Sequence, residues 1–290
     1  MPSLQDLVAE PGSNRAVYFD AELSDRPLTL WSARPKRYDT SQAILFVFHG
    51  AARNGSEYRD FWLPLVDEAD ILVIAPEFSA EHYPGVGWFN HGNLLTEQGQ
   101  LNSRNQWTYA VPERLFIALR KAVITHCGFY GLFGHSAGGQ FVHRAMALGF
   151  RKSVVVAITA NAGTYAMPNL AIPFPYGLGG VGLDDAAMRG FLSSRLTVMV
   201  GADDVDATSP LFPKEVEAML QGATRFERAH QYLAEARAYG DRLGVHCAWT
   251  GVDVVGVGHD GGRISAAAAP IVGAALHGAA ICQRQFEITH

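Results

Sequence analysis

The stretch Phe129-Tyr130-Gly131-Leu132-Phe133-Gly134-His135-Ser136-Ala137-Gly138-Gly139 decides the fold. An apolar run of strand length enters a Gly-x-Ser-x-Gly turn, and a helical pattern follows it over residues 137–148. That is the strand, sharp turn and helix in which a serine is lifted above the edge of a sheet. Small residues are required on either side because the chain doubles back at the serine, and a bulky neighbour would collide with the returning backbone. A helix N-terminus beside the serine also favours negative charge developing there.

Outward from this point, short runs rich in Val, Ile, Leu and Phe recur between longer helical patterns. The predicted strands cover residues 43–48, 71–75, 129–133, 154–159, 196–200 and 248–254, and residues 16–19 and 28–31 could add an antiparallel edge. Helices are predicted over 57–69, 106–124, 137–148, 214–243 and 264–280, where apolar residues return at three and four spacing. The alternation describes a mostly parallel, buried central sheet flanked by helices. Residues 77–103 and 163–185 carry glycines, prolines, aromatics and asparagines and read as long loops. Loops of that length usually serve function, and Trp88, Phe89, Trp107, Tyr165, Phe174 and Tyr176 in or beside them suggest pocket walls. No internal repeat or linker divides the chain, so residues 1–290 are expected to form one domain.

Composition narrows the function classes. Of 290 residues, 48% are hydrophobic and 18% charged, which suits a packed globule rather than a disordered chain. The net charge of -5, from 28 acidic and 23 basic residues, includes no basic run to follow a phosphate backbone, so no nucleic-acid partner is expected. Cys127, Cys247 and Cys282 are too scattered for a disulfide framework or a metal motif and are expected to be buried as small hydrophobes. The first ten residues lack a basic segment and an apolar core, so a cytoplasmic protein is expected. The apolar tail 266–281 is interrupted by Pro270, His277 and glycines, so no membrane partner is expected either.

Two cofactor signals fail on context. Gly177-Leu178-Gly179-Gly180-Val181-Gly182 matches the dinucleotide pattern but follows Pro173-Phe174-Pro175-Tyr176 instead of a strand. His82 and His91 lack metal-ligand spacing. Neither a cofactor nor a metal is expected.

A serine hydroxyl needs a histidine base, and the base needs a third group to hold its tautomer. Downstream of Ser136, the apolar run 196–200 opens into Gly201-Ala202-Asp203-Asp204-Val205-Asp206, which sets carboxylates at the end of a strand where ligands bind in such sheets. Of the histidines beyond it, His230 and His277 fall in helical patterns and His290 ends the chain. His259 sits in the glycine loop Val255-Gly256-Val257-Gly258-His259-Asp260-Gly261-Gly262, from which it can reach the sheet edge.

Read together, Gly134 to Gly139, the upstream His49-Gly50-Ala51-Ala52, and the downstream acid and histidine resemble the α/β-hydrolase superfamily over most of the chain. Within it the sequence is similar to esterases of the polyhydroxybutyrate-depolymerase-like or feruloyl-esterase-like kind. The resemblance implies an α/β-hydrolase fold with cap-like loops near 77–103 and 163–192. It also implies a serine hydrolase that cleaves carboxylic esters, small or polymeric, through an acyl-enzyme. Family habit puts the acid at Asp204, with Asp203 and then Asp206 as the other candidates. It puts the oxyanion donors at the backbone N–H groups of Ala51 and Ala137, and His49 reads as a turn stabiliser. A polyhydroxyalkanoate depolymerase or a serine peptidase would use the same residues, and a non-catalytic relative would use the pocket alone. The oligomeric state has no sequence signal.

Overall fold

The computed structural model describes residues 3–288. Eight strands form one sheet in the order β1-β2-β4-β3-β5-β6-β7-β8. They are β1 (Gly12–Tyr18), β2 (Leu28–Arg34), β3 (Ala43–Phe48), β4 (Ile71–Glu77), β5 (Tyr130–His135), β6 (Val154–Ala160), β7 (Leu196–Gly201) and β8 (Thr250–Val254). Strands β1 and β2 pair antiparallel, β2 pairs antiparallel with β4, and every other pairing is parallel. The antiparallel edge and the parallel centre anticipated from the sequence are both present.

The helices are α1 (Gly55–Trp62), α2 (Val66–Ala69), α3 (Gly85–Trp88), α4 (Val111–Lys121), α5 (Ala137–Ala147), α6 (Asp185–Leu192), α7 (Val216–Met219), α8 (Arg225–Leu243) and α9 (Gly261–Ile288). Three predicted helices are shorter or divided. The 57–69 pattern splits into α1 and α2 around Pro64, which cannot donate the interior hydrogen bond a continuous helix needs. The 214–243 pattern splits into α7 and α8 at Gly222, whose φ of +140° suits glycine, and Thr224 then caps α8 by accepting from the Glu227 N–H. The 106–124 pattern begins as single 3-10 turns at Arg104–Gln106 and Thr108–Ala110 and becomes α-helical only at Val111, just before Pro112. Two predicted loops contain helix: α3 lies within 77–103, and α6 takes up the end of 163–192, started by the Asp184 side chain capping the Ala187 N–H.

Alternate residues of β3 feed opposite faces, as strand geometry demands. Ile44, Phe46 and Phe48 pack with residues of α4, α5, α6 and α8, while Ala43, Leu45 and Val47 pack with residues of α1, α2 and α9. The long α9 is apolar enough over Gly261–Gln285 to cross a membrane by length and composition, with mean hydropathy 1.6. Its stripe of Ile264, Ala268, Val272 and Leu276 is buried in the cluster on that face of the sheet, and 33% of the apolar window is buried in all. The buried Ile264, Val272 and Leu276 side chains each contribute about 2 kcal/mol. Cys127 and Cys247 are buried as expected, but Cys282, on α9, is exposed.

Candidate active site

At the end of β5 the chain turns through Ser136, whose φ of +58° and ψ of −117° are costly for a residue with a side chain, by about 1–3 kcal/mol. The surrounding glycines make the turn possible. A Cβ on Gly134 would stand 2.1 Å from the Gly138 carbonyl oxygen, one on Gly138 2.2 Å from that of Phe48, and one on Gly139 2.7 Å from that of Ala160. Helix α5 is therefore pressed onto β3, β5 and β6. Its first N–H, from Ala137, has no carbonyl behind it within the helix.

The structure brings three predicted residues into a chain. His259 Nε2 is 3.1 Å from Ser136 Oγ, and its Nδ1 is 2.7 Å from Asp204 Oδ2. Asp204 is buried at the end of β7. Asp203 and Asp206 are exposed, and Asp206 caps its own turn by accepting from the Thr208 N–H and hydroxyl. Of the other late histidines, His230 pairs with Asp253 on the surface, His246 and His277 are exposed, and His290 lies outside the described residues.

Two partners of Asp204 were not anticipated. The Asn161 side chain donates to Asp204 Oδ2 at 2.6 Å and to the Gly258 carbonyl at 3.2 Å, tying the acid to the loop that carries His259. The buried Arg225 stands 3.4 Å from Asp204 Oδ1. Burial by itself raises the carboxyl's pKa, but the hydrogen bonds from His259 and Asn161 and the Arg225 charge outweigh it and hold Asp204 below the ordinary value. Asn161 follows β6 directly at a φ of +47°, a conformation asparagine tolerates better than most residues. Its place at a strand's C-terminal end was the one available sequence signal. Arg225, at the start of α8, had none.

Ala51 lines the same cleft of about 250 Å³ as Ser136 and Ala137. The turn that carries Ala51 is held by His49, which accepts from the Phe78 N–H at Nε2 and donates to the Gly50 carbonyl from Nδ1. Tyr58 closes the other side. Its hydroxyl lies where a Cβ on Gly50 would come within 2.9 Å, and it donates to His135 Nδ1 at 2.8 Å. The His135 ring packs against that of His259, with centroids 4.7 Å apart.

Three buried histidines are held neutral. Burial lowers His49 to about 3 and drives His135 and His143 well below the usual value, and each uses a ring nitrogen as an acceptor, His143 taking the Ala166 N–H. In the unfolded chain they return to about 6.5. Their contribution to stability is thus complete above about pH 6.5 and is lost as the pH falls toward the folded values. Urea melts between pH 6 and 4 are expected to lose up to about 1.4 kcal/mol per pH unit through His49, with further loss in the same direction from His135 and His143. A flat profile across that window would contradict their neutral burial.

The cleft walls come from both long segments: Val86, Asn90 and His91 on one side, Gly163, Thr164, Pro175 and Tyr176 on another. Of the aromatics suggested as pocket walls, only Tyr176 lines this cleft. Phe89, Trp107 and Tyr165 belong to the core, because loops this long need their own apolar anchors, and Trp88 and Phe174 line a neighbouring depression of about 800 Å³ that shares His91 and Pro175 with the cleft. Among the described residues no His, Cys, Asp and Glu cluster has the arrangement of a metal site.

A doubly flanked, mostly parallel sheet with a serine at this turn and an Asp and His at neighbouring strand ends defines an α/β-hydrolase, and the chain belongs to that superfamily. Within it, the chain belongs to the branch of serine esterases and polyhydroxybutyrate-depolymerase-like hydrolases. It is similar to the poly(3-hydroxybutyrate) depolymerase LpqC of Bordetella parapertussis, with 37% identity over 91% of each chain and a TM-score of 0.87. It is similar also to poly(aspartic acid) hydrolase-1 of Sphingomonas sp. KT-1, with 34% identity over 91% of this chain and 99% of that one, again at 0.87. The fluorophosphonate-binding serine hydrolase FphF of Staphylococcus aureus shares the fold at 12% identity, over 92% of this chain and 99% of that one, with a TM-score of 0.57. No protein-family model and no curated protein matches the chain.

Proposed function

We propose that this protein hydrolyses carboxylic esters through an acyl-enzyme on Ser136. The observation that carries the reading is the continuous line from Asp204 through His259 to Ser136, at 2.7 and 3.1 Å. Ser136 Oγ attacks the ester carbonyl as its proton passes to His259 Nε2, and the C–O bond to the alcohol breaks when the imidazolium returns that proton to the leaving oxygen. Water repeats the sequence on the acyl-enzyme and releases the acid. Asp204 keeps the Nδ1 proton of His259 in place, so Nε2 remains the acceptor. The backbone N–H groups of Ala51 and Ala137 receive the oxyanion, each worth about 3 kcal/mol in the transition state.

A polymeric ester is the second reading. It is favoured by the shared wall between the 250 Å³ cleft and the larger depression, which leaves room for a chain to continue past the reacting bond. Two relatives named for polymers, poly(3-hydroxybutyrate) and poly(aspartic acid), support it.

Intact mass after treatment with a fluorophosphonate tests the nucleophile, alongside turnover of short and long p-nitrophenyl esters. A single adduct that is lost in Ser136→Ala, together with ester turnover, is the expected result. Folded protein that takes up no label and turns over no ester would refute the reading.

A further inference from the structure

One helical turn beyond Ser136, the side chain of Gln140 lines the cleft. Beneath it lies Arg144, wholly buried in α5 with no carboxylate within 4 Å among the described residues. Its guanidinium donates to Gln140 Oε1 at 3.0 Å, Thr164 Oγ1 at 3.3 Å, and the carbonyls of Asn90 and Pro175 at 3.3 and 3.1 Å. The Thr164 hydroxyl also donates to Gln140 Oε1, at 3.1 Å. An arginine has donors only, so the amide of Gln140 must turn its oxygen down to Arg144. Its NH2 group is left on the side of the cleft. Gly163 keeps that group approachable, since a Cβ there would press to 3.2 Å from Nε2.

Resting on ester hydrolysis at Ser136, we infer that Gln140 is a specificity residue that selects substrates with a second oxygen acceptor near the scissile ester. Arg144 is the positioning residue that fixes which end of the amide meets the substrate. Gln140 lines the same cleft as Ser136, so the acceptor belongs within a few bonds of the reacting carbonyl. Carbonyl, ester and carboxylate oxygens all meet this requirement, and a plain alkyl chain does not. The uncompensated Arg144 charge strengthens the donor by polarising the amide through its oxygen.

Two substrate pairs read this selection: p-nitrophenyl 4-oxopentanoate against p-nitrophenyl pentanoate for the acyl side, and 2-oxobutyl against butyl butyrate for the alcohol side. In at least one pair the oxo ester, after division by its intrinsic advantage in alkaline hydrolysis, is expected to show about tenfold higher kcat/KM in the native protein. Gln140→Leu removes the donor, and Gln140→Glu removes it while still giving Arg144 an acceptor, so the second variant remains informative if the first folds poorly. Both are expected to bring the ratio close to one while turnover of the plain ester survives. A native ratio near one in both pairs, or a preference unchanged in Gln140→Glu, would overturn the inference and leave ester hydrolysis standing. No turnover of any of the four esters by folded native protein would overturn both.

Discussion

Replacing Ser136 with alanine is expected to leave a folded protein whose ester turnover, kcat, falls by about 10⁶-fold. In the proposed mechanism the hydroxyl supplies the bond-forming atom, and without it the cleft would be left only to bind substrate and polarise its carbonyl. Folding survives because Ser136 Oγ makes its hydrogen bond to the partly open His259, and the turn is held by backbone packing at Gly134, Gly138 and Gly139. Alanine inherits the +58° φ and so keeps the strain, whereas Ser136→Gly relaxes it. Urea unfolding should therefore find the glycine variant more stable than the alanine variant by about 1 kcal/mol. A Ser136→Ala protein that kept even a hundredth of native turnover would mean that another group makes the attack.

Asp204→Asn is expected to cost about 10⁴-fold in kcat, with Asp203→Asn and Asp206→Asn close to native. Asp204 Oδ2 accepts from both His259 and Asn161 while Oδ1 faces Arg225, so an asparagine must turn its amide nitrogen either to the first pair or to the arginine. If its amide nitrogen faces His259, the imidazole must accept at Nδ1 and carry its proton at Nε2, which then cannot take the proton of Ser136. The substitution also leaves the buried Arg225 without its carboxylate, which should lower stability by about 1–3 kcal/mol in urea melts. Measuring kcat and unfolding on the three variants separates the roles. Equal losses at Asp203 and Asp204 would remove Asp204 from the assignment.

The site was legible from sequence to different depths. Ser136 could be read because its turn imposes local demands: glycines at 134, 138 and 139, an apolar strand before and a helix after. His259 could be read because the glycine loop 255–262 follows an apolar run, whereas His230 and His277 sit in helical patterns and His290 ends the chain. The acid was narrower than its residues allowed, since Asp203, Asp204 and Asp206 lie within four positions on one loop and differ only in which way the chain turns them. Burial against Asn161 and Arg225 separates them, and those partners come from β6 and α8. Gln140 and Arg144 were hidden for a similar reason. On a helix pattern they read as ordinary polar positions, and their roles depend on Asn90, Thr164 and Pro175 closing over them from the two long segments.

By itself the sequence determined the class of fold, the order of its strands, and the turn and loop in which Ser136 and His259 lie. These follow from periodicity and from backbone limits that act over a few neighbouring residues. Only the tertiary structure decided where Pro64 and Gly222 divide predicted helices, which aspartate meets His259, which aromatics reach the cleft, and which atom of the Gln140 amide meets Arg144. Each of those depends on what distant segments bring to the same place, and the burial, charge and hydrogen bonding that result have no counterpart in local spacing.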